Sequence, residues 1–264
     1  MRAARVVTQL NPRSLRSPPQ AGAPTAPATL ILAAHGSADP RSAAVAQALA
    51  GRIRRLRPRL EVHAAFLEQS VPNVADVLSD VALRQESAVV VPMLLASAYH
   101  ARIDLPAAIE ASGAVVRQAD VLGEDPALVT LLGRRLAEAG ATADQRDLGV
   151  IVVAVGSSDQ GANAGTAALA PALTARTQWA GVEVAFATGP HPTVAEAAAR
   201  LRRRGARRLI VAPWFLAPGR ITDRVANSAA ALGIPMAEPL GSHNLVAAAL
   251  LDRFDETQSA RVAA

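Results

Sequence analysis

The chain has 264 residues, 51% of them hydrophobic and none of them Cys, which is enough for two buried cores and excludes disulfides, thiolate metal sites and cysteine nucleophiles. Its net charge of +5 rests on 27 basic residues, every one an Arg, while aromatics make up only 3%. That leaves no base-stacking platform and no recognisable nucleic-acid motif, so nucleic acid is not expected as a partner, whereas a small polycarboxylate suits such a surface.

Residues 1–28 carry repeated Pro and no apolar stretch long enough for a secretory signal, so a disordered tail is expected there. Nothing reaches the ~18 consecutive apolar residues of a membrane helix, and a soluble, cytoplasmic protein is expected. The first apolar run, Thr29 to Ala34, reads as a strand. Asp39 and Pro40 then offer an N-cap and a proline at the first helical position, opening a helix that runs to about Arg57 before Pro58. LEVHAAFL at 60–67 alternates as a second strand, and a helix follows from about Pro72 to Arg84. Ala88 to Leu95 is rich in Val and Leu and short enough for a strand buried on both faces of a parallel sheet. A helix near Leu105 to Ala111, a strand at Ala114 to Ala119 and a helix opened by Asp125 and Pro126 complete a βαβαβαβα unit.

From Leu148 the pattern starts again. LGVIVVAV reads as a strand, a long Ala-rich helix runs to about Arg176, and Val182 to Ala187 is the next strand. A helix from Pro192 to Arg204, a strand from Arg208 to Pro213, a helix from about Thr222 to Leu232, a strand from Ile234 to Ala237 and a final helix follow. HGS at 35–37 falls on VGS at 155–157, and AFLE at 65–68 on AFAT at 185–188, both 120 positions later. The chain is therefore an internally duplicated α/β protein, expected as two Rossmann-like, three-layer domains with parallel sheets at 29–144 and 145–264, facing each other across a cleft. Chemistry is expected on one wall only, because His35 becomes Val155 and Glu68 becomes Thr188.

His35, Glu68 and His100 each follow a different predicted strand of the first half, so they fall on one sheet edge, where ligands of open α/β sheets bind. Two imidazoles and a carboxylate match the preferences of divalent Co, Fe, Ni or Zn with positions left open for a substrate; equally, a neutral imidazole accepts protons near pH 7 with no ion bound. Gly36 reads as a permissive backbone position beside the cleft. Ser37 and Asp39 have the spacing of a helix cap more than that of a nucleophile and base. Arg102 and Asp104 either orient His100 and meet substrate carboxylates or form a solvated ion pair. His63 reads as a packed or edge residue, His191 and His243 as turn or capping residues, and the arginines at 202–204, 207 and 208 as an exposed helix end.

AAHGSADPR, AFLEQSVPNV, VVVPMLLASAYHARIDLP and VLGEDP, in this order and spacing, are similar to the signature of the class II chelatases, and within them of the sirohydrochlorin chelatases of sirohaem and cobalamin synthesis. The rest of the chain resembles the degenerate second domain of the longer, duplicated members. The resemblance implies two tandem chelatase-like domains and insertion of Co²⁺ or Fe²⁺ into sirohydrochlorin. It implies His35 and His100 as the metal-binding and proton-accepting pair and Glu68 as a further metal or macrocycle contact. Ser37, Arg41, Tyr99 and Arg102 are expected to meet the carboxylate-bearing ring. The ion is a substrate, no organic cofactor is implied, and a monomer is expected because the duplicated chain makes its own cleft. The competing expectation is a tetrapyrrole or metal carrier that delivers without catalysis; a phosphate or nucleic-acid binder using the Arg cluster is a third.

Overall fold

In the computed structural model, which describes residues 29–97 and 99–260, two parallel sheets carry the fold. β1 (Thr29–Ala34), β2 (Val62–Phe66), β3 (Ser87–Pro92) and β4 (Val115–Gln118) pair in the order β2-β1-β3-β4. Register puts Leu30 of β1 opposite Val62 and Val89. β5 (Leu148–Ala154), β6 (Gly181–Phe186) and β7 (Arg208–Pro213) form the second sheet in the order β6-β5-β7. The tail expected over 1–28 lies outside the described residues.

The central strands are buried on both faces, as their unbroken apolar runs require. Leu30 and Leu32 of β1 and Val89 and Val91 of β3 face a core shared with the second half, while Ile31, Ala33, Ala88 and Val90 face α2 (Val74–Leu83) and α3 (Leu105–Ser112). In β5, Val150 and Val152 join the shared core, and Ile151 and Val153 pack against α7 (Val194–Arg203) and α8 (Arg220–Ala231).

The remaining helices fill the space between the sheets: α1 (Pro40–Leu56), α4 (Pro126–Glu138), α5 (Gln160–Ala167), α6 (Leu169–Thr174) and α9 (Asn244–Ser259). The last helix of each repeat reaches across. α4 packs on β7, and α9 packs on β3 and α1. Polar bonds fix the exchange: Arg253 of α9 donates to the carbonyls of Val121 and Leu122 and pairs with Asp125, and Arg135 of α4 donates to the Leu240 carbonyl.

Local chemistry explains where elements start and stop. Asp39 caps α1 by accepting from the Arg41 N–H, with Pro40 beside it, and Asp125 caps α4 in the same way from Ala127. The helix expected to run unbroken to Arg176 is interrupted at Ala168, three residues before Pro171, which has no N–H to give the Ala167 carbonyl. The strand expected at 234–237 is reduced to a single parallel bridge, Val211 to Met236, because Pro235 supplies no donor to a ladder. β3 ends at Pro92, so Leu94 and Leu95 leave the sheet and line a cavity instead.

Candidate metal centre

β1 and β2 end side by side, and the backbone carries the pairing one step further. The Leu67 N–H donates to the Ala34 carbonyl at 3.0 Å and the Glu68 N–H to the His35 carbonyl at 2.9 Å. Gly36 makes this approach possible: its φ is +92°, and a Cβ there would fall 1.7 Å from the Glu68 carbonyl oxygen. No side chain fits, so glycine is required by sterics at this point.

His100 arrives from the third strand. After β3 the chain enters a single π-helical turn, His100–Asp104, in which the Leu105 N–H donates to the His100 carbonyl, and then continues as α3. The turn sets Asp104 against the ring, with Oδ2 2.6 Å from Nδ1. An ionised carboxylate only accepts, so Nδ1 carries the proton and Nε2 keeps the lone pair for an ion or a proton. The structure thus gives Asp104 the orienting role that the sequence left open.

The three predicted ligands come together. The rings of His35 and His100 lie edge to face with centroids 4.1 Å apart and planes at 63°. One ligand atom from each of His35, Glu68 and His100 lies within 4.8 Å of the others. His35 and Glu68 are exposed and His100 is partly buried, so the group opens onto solvent.

Two cavities flank His35 between the sheets. One of about 400 Å³ is lined by His35, Tyr99, His100, Val155, Trp214 and Phe215 among others. The other, about 420 Å³, is lined by His35, Gly36, Ser37, Val155, Phe215 and Arg220 among others. The facing wall repeats the backbone of the first half without its ligands. Gly156 also has φ +92°, with the Gly189 carbonyl 1.8 Å from its hypothetical Cβ, and the Thr188 N–H donates to the Val155 carbonyl. Val155, however, offers a half-exposed isopropyl group, and the Thr188 hydroxyl is spent on the Val155 carbonyl at 2.8 Å.

Residues 29–139 and 149–257 each match the CbiX family. The chain belongs to the CbiX family. Like this CbiX chain, SirB from Bacillus subtilis, solved with Fe³⁺, has the two-sheet fold: TM-score 0.76 at 21% identity, covering 87% of this chain and 94% of that one. A second SirB structure, the sirohydrochlorin chelatase of Bacillus subtilis subspecies spizizenii in complex with cobalt, gives 0.71 at 20% identity over 87% and 94%. The sirohydrochlorin cobaltochelatase of Priestia megaterium is 29% identical over 172 residues, 62% of this chain and 56% of that protein. The alignment thus spans little more than half of that relative's length.

Of the other residues singled out in this CbiX chain, Ser37 and Tyr99 line the two cavities, while Arg41 and Arg102 pair with carboxylates of the second half. Tyr99 is 63% exposed and lines the His100 side. The Ser37 hydroxyl accepts from the Asp39 N–H at 3.0 Å, and its backbone is bonded to the Ser70 hydroxyl, so it shapes the turn while lining the cavity. Arg41 grips Asp39, whose carboxyl is pulled down to about 2 by that guanidinium, and also grips Asp223 across the cleft at 2.5 Å. Arg102 bonds to the Ser97 hydroxyl and pairs with Asp159 at 2.7 Å. His63 pairs with Glu61 and His191 with Glu196, both at 2.8 Å, and His243 caps α9 through Nδ1; none of the three joins the metal group. No motif or spacing in the sequence marks Asp223 or Trp214. The repeat offset would have drawn attention to Asp159, which falls 120 positions after Asp39.

Proposed function

We propose that the chain is a sirohydrochlorin chelatase, inserting Co²⁺ or Fe²⁺ into the macrocycle within the cleft between its two sheets. The observation that carries this reading is the convergence of His35, Glu68 and His100 beside two cavities that both reach Val155 and Phe215 of the second half. The named relatives support the same substrate.

Two atoms bound to one ion at ~2.1 Å each lie at most ~4.2 Å apart, so ligand atoms spread over as much as 4.8 Å close on an ion by modest side-chain rotation. Exposed His35 and Glu68 have that freedom. A loosely set trio with two nitrogen ligands and no thiolate takes an ion and lets it go, as a substrate ion requires. Metallation also releases two pyrrole N–H protons, which imidazole nitrogens accept at neutral pH. His100 is held for this by Asp104. Val155, Trp214 and Phe215 give a broad ring an apolar surface, and Arg41, Arg102, Ser37 and Tyr99 stand at the rim where its carboxylates would lie. The second half acts as a wall without an active centre of its own, and the pairing of repeats within one chain makes the monomer the working form.

Purified protein is expected to speed metallation of sirohydrochlorin, followed by the macrocycle's absorbance, and His35→Ala and His100→Ala each to abolish most of that rate. Unchanged rates in both variants overturn the mechanism, and stoichiometric binding without acceleration makes the protein a carrier instead. Co²⁺ and Fe²⁺ supplied in competition identify the preferred ion.

A further inference from the structure

We infer that Asp159 and Asp223, both from the half that has lost its metal ligands, are stand-ins for the carboxylates of the macrocycle, occupying Arg102 and Arg41 until the substrate displaces them. The inference rests on the proposed function for the nature of the ligand and goes beyond it by giving the second half a part in selecting that ligand.

The two arginines are built alike. Each belongs to the first half and has one partner there that stays: Asp39 for Arg41, at 2.6 Å, and the Ser97 hydroxyl for Arg102, at 3.2 Å. Each has a second partner across the cleft: Asp223 for Arg41 and Asp159 for Arg102, at 2.5 and 2.7 Å. The near partner fixes where the guanidinium sits, and the far partner fills its remaining donors. Arg41 presents both terminal nitrogens to the two Asp223 oxygens, the forked geometry with which a ligand carboxylate would be taken.

The four residues of the pairs lie close in the chain to cavity-lining residues, one pair by each cavity. Arg41 neighbours Ser37 and Ser42, and Asp223 neighbours Thr222, which line the cavity on one side of His35. Arg102 follows Tyr99 and His100, and Asp159 follows Ser157, which line the other. All four side chains are partly or largely exposed, so both pairs are in the range where ion pairs are weak and exchangeable. Asp159 is the repeat counterpart of Asp39 and, like it, caps its helix while pairing with an arginine of the first half. A ring bearing carboxylates exchanges one ion pair for another on each side. A ring without them has to break both pairs and leave guanidinium and carboxylate unpaired, so the arrangement selects for polycarboxylates.

The experiment is equilibrium titration of the full chain with sirohydrochlorin, read from the macrocycle's absorbance in the absence of metal, together with steady-state metallation. Asp159→Asn keeps the α5 cap and Asp223→Asn keeps the first turn of α8, so both variants are expected to fold. Each is expected to bind sirohydrochlorin about two- to five-fold tighter and to lower KM by the same factor without raising kcat. The gain is expected to vanish when the partner is already missing: Asp159→Asn added to Arg102→Gln, or Asp223→Asn added to Arg41→Gln, changes nothing further. Unchanged or weaker binding in both Asn variants overturns the inference, as does tightening that persists without the arginines, which would be a general charge effect. Wild type that binds and metallates while the Asn variants gain nothing refutes the stand-ins alone. Tightening in a protein that never accelerates metallation refutes the chelatase alone.

Discussion

The imidazoles of His35, just past β1, and of His100, at the head of the π-helical turn that follows β3, stand 4.1 Å apart between centroids. Groups at this distance that serve one ion act as a unit, and their losses do not add. His35→Ala and His100→Ala are each expected to lower metallation about 10²-fold or more. The double variant is expected to be little worse than either single one, with Co²⁺ binding by calorimetry following the same pattern.

Asp104 touches His100 through Nδ1 and is not itself one of the three groups that converge, so its removal tests orientation. Asp104→Ala is expected to weaken ion binding and metallation about 10- to 100-fold, the range for losing the partner of a ligating imidazole. Asp104→Asn, whose amide oxygen still accepts from Nδ1–H, is expected to lose less. Equal losses in the two variants would show that charge, not orientation, is what Asp104 supplies.

Gly36→Ala separates conformational strain from steric collision. Gly113 also has positive φ, +63°, but open space around its hypothetical Cβ. Gly113→Ala is expected to cost about 1–2 kcal/mol in thermal or denaturant unfolding and to leave metallation intact. Gly36→Ala is expected to cost more and to impair metallation as well, because the Glu68 backbone has to move away from His35.

Much of this could be read from the residues themselves. The strand runs, the caps at Asp39 and Asp125, the duplication and the meeting of His35, Glu68 and His100 all follow from local pattern plus the rule that ligands gather at strand ends. The exchange of α4 and α9 could not be read, because an apolar helix face records that it is buried and not which sheet covers it. Nor could the partners of Arg41 and Arg102, since an ion pair between residues 41 and 223 leaves no spacing signal. Pro171 and Pro235 are legible as breakers, but the Ala-rich run around the first and the apolar residues around the second carry the period of an unbroken helix and a strand.

His243 gives stability a pH dependence of known sign. Its Nδ1 accepts from the Leu245 N–H at 3.1 Å to cap α9, which only a neutral ring does. Burial, then the nearby charges of Arg135 and Arg134, hold it below its ordinary value of 6.5. As pH falls below 6.5 the unfolded chain binds a proton that the folded chain resists, so stability drops with pH through the window beneath that value. His243→Asn, which caps without titrating, is expected to lose less stability than wild type between pH 7.5 and pH 5 in parallel thermal melts. Parallel losses would remove His243 from the account.

The crossed packing of α4 and α9 also restricts how the molecule can admit a large flat ligand. Jaws that swing on a hinge need two bodies joined by a single flexible point, whereas here each body is threaded into the other by a helix lying on the opposite sheet. Parting them would strip β3 and β7 of their cover. Entry is therefore left to small displacements at the lip, in the π-helical turn and the arginine side chains, while the frame behind them stays shut.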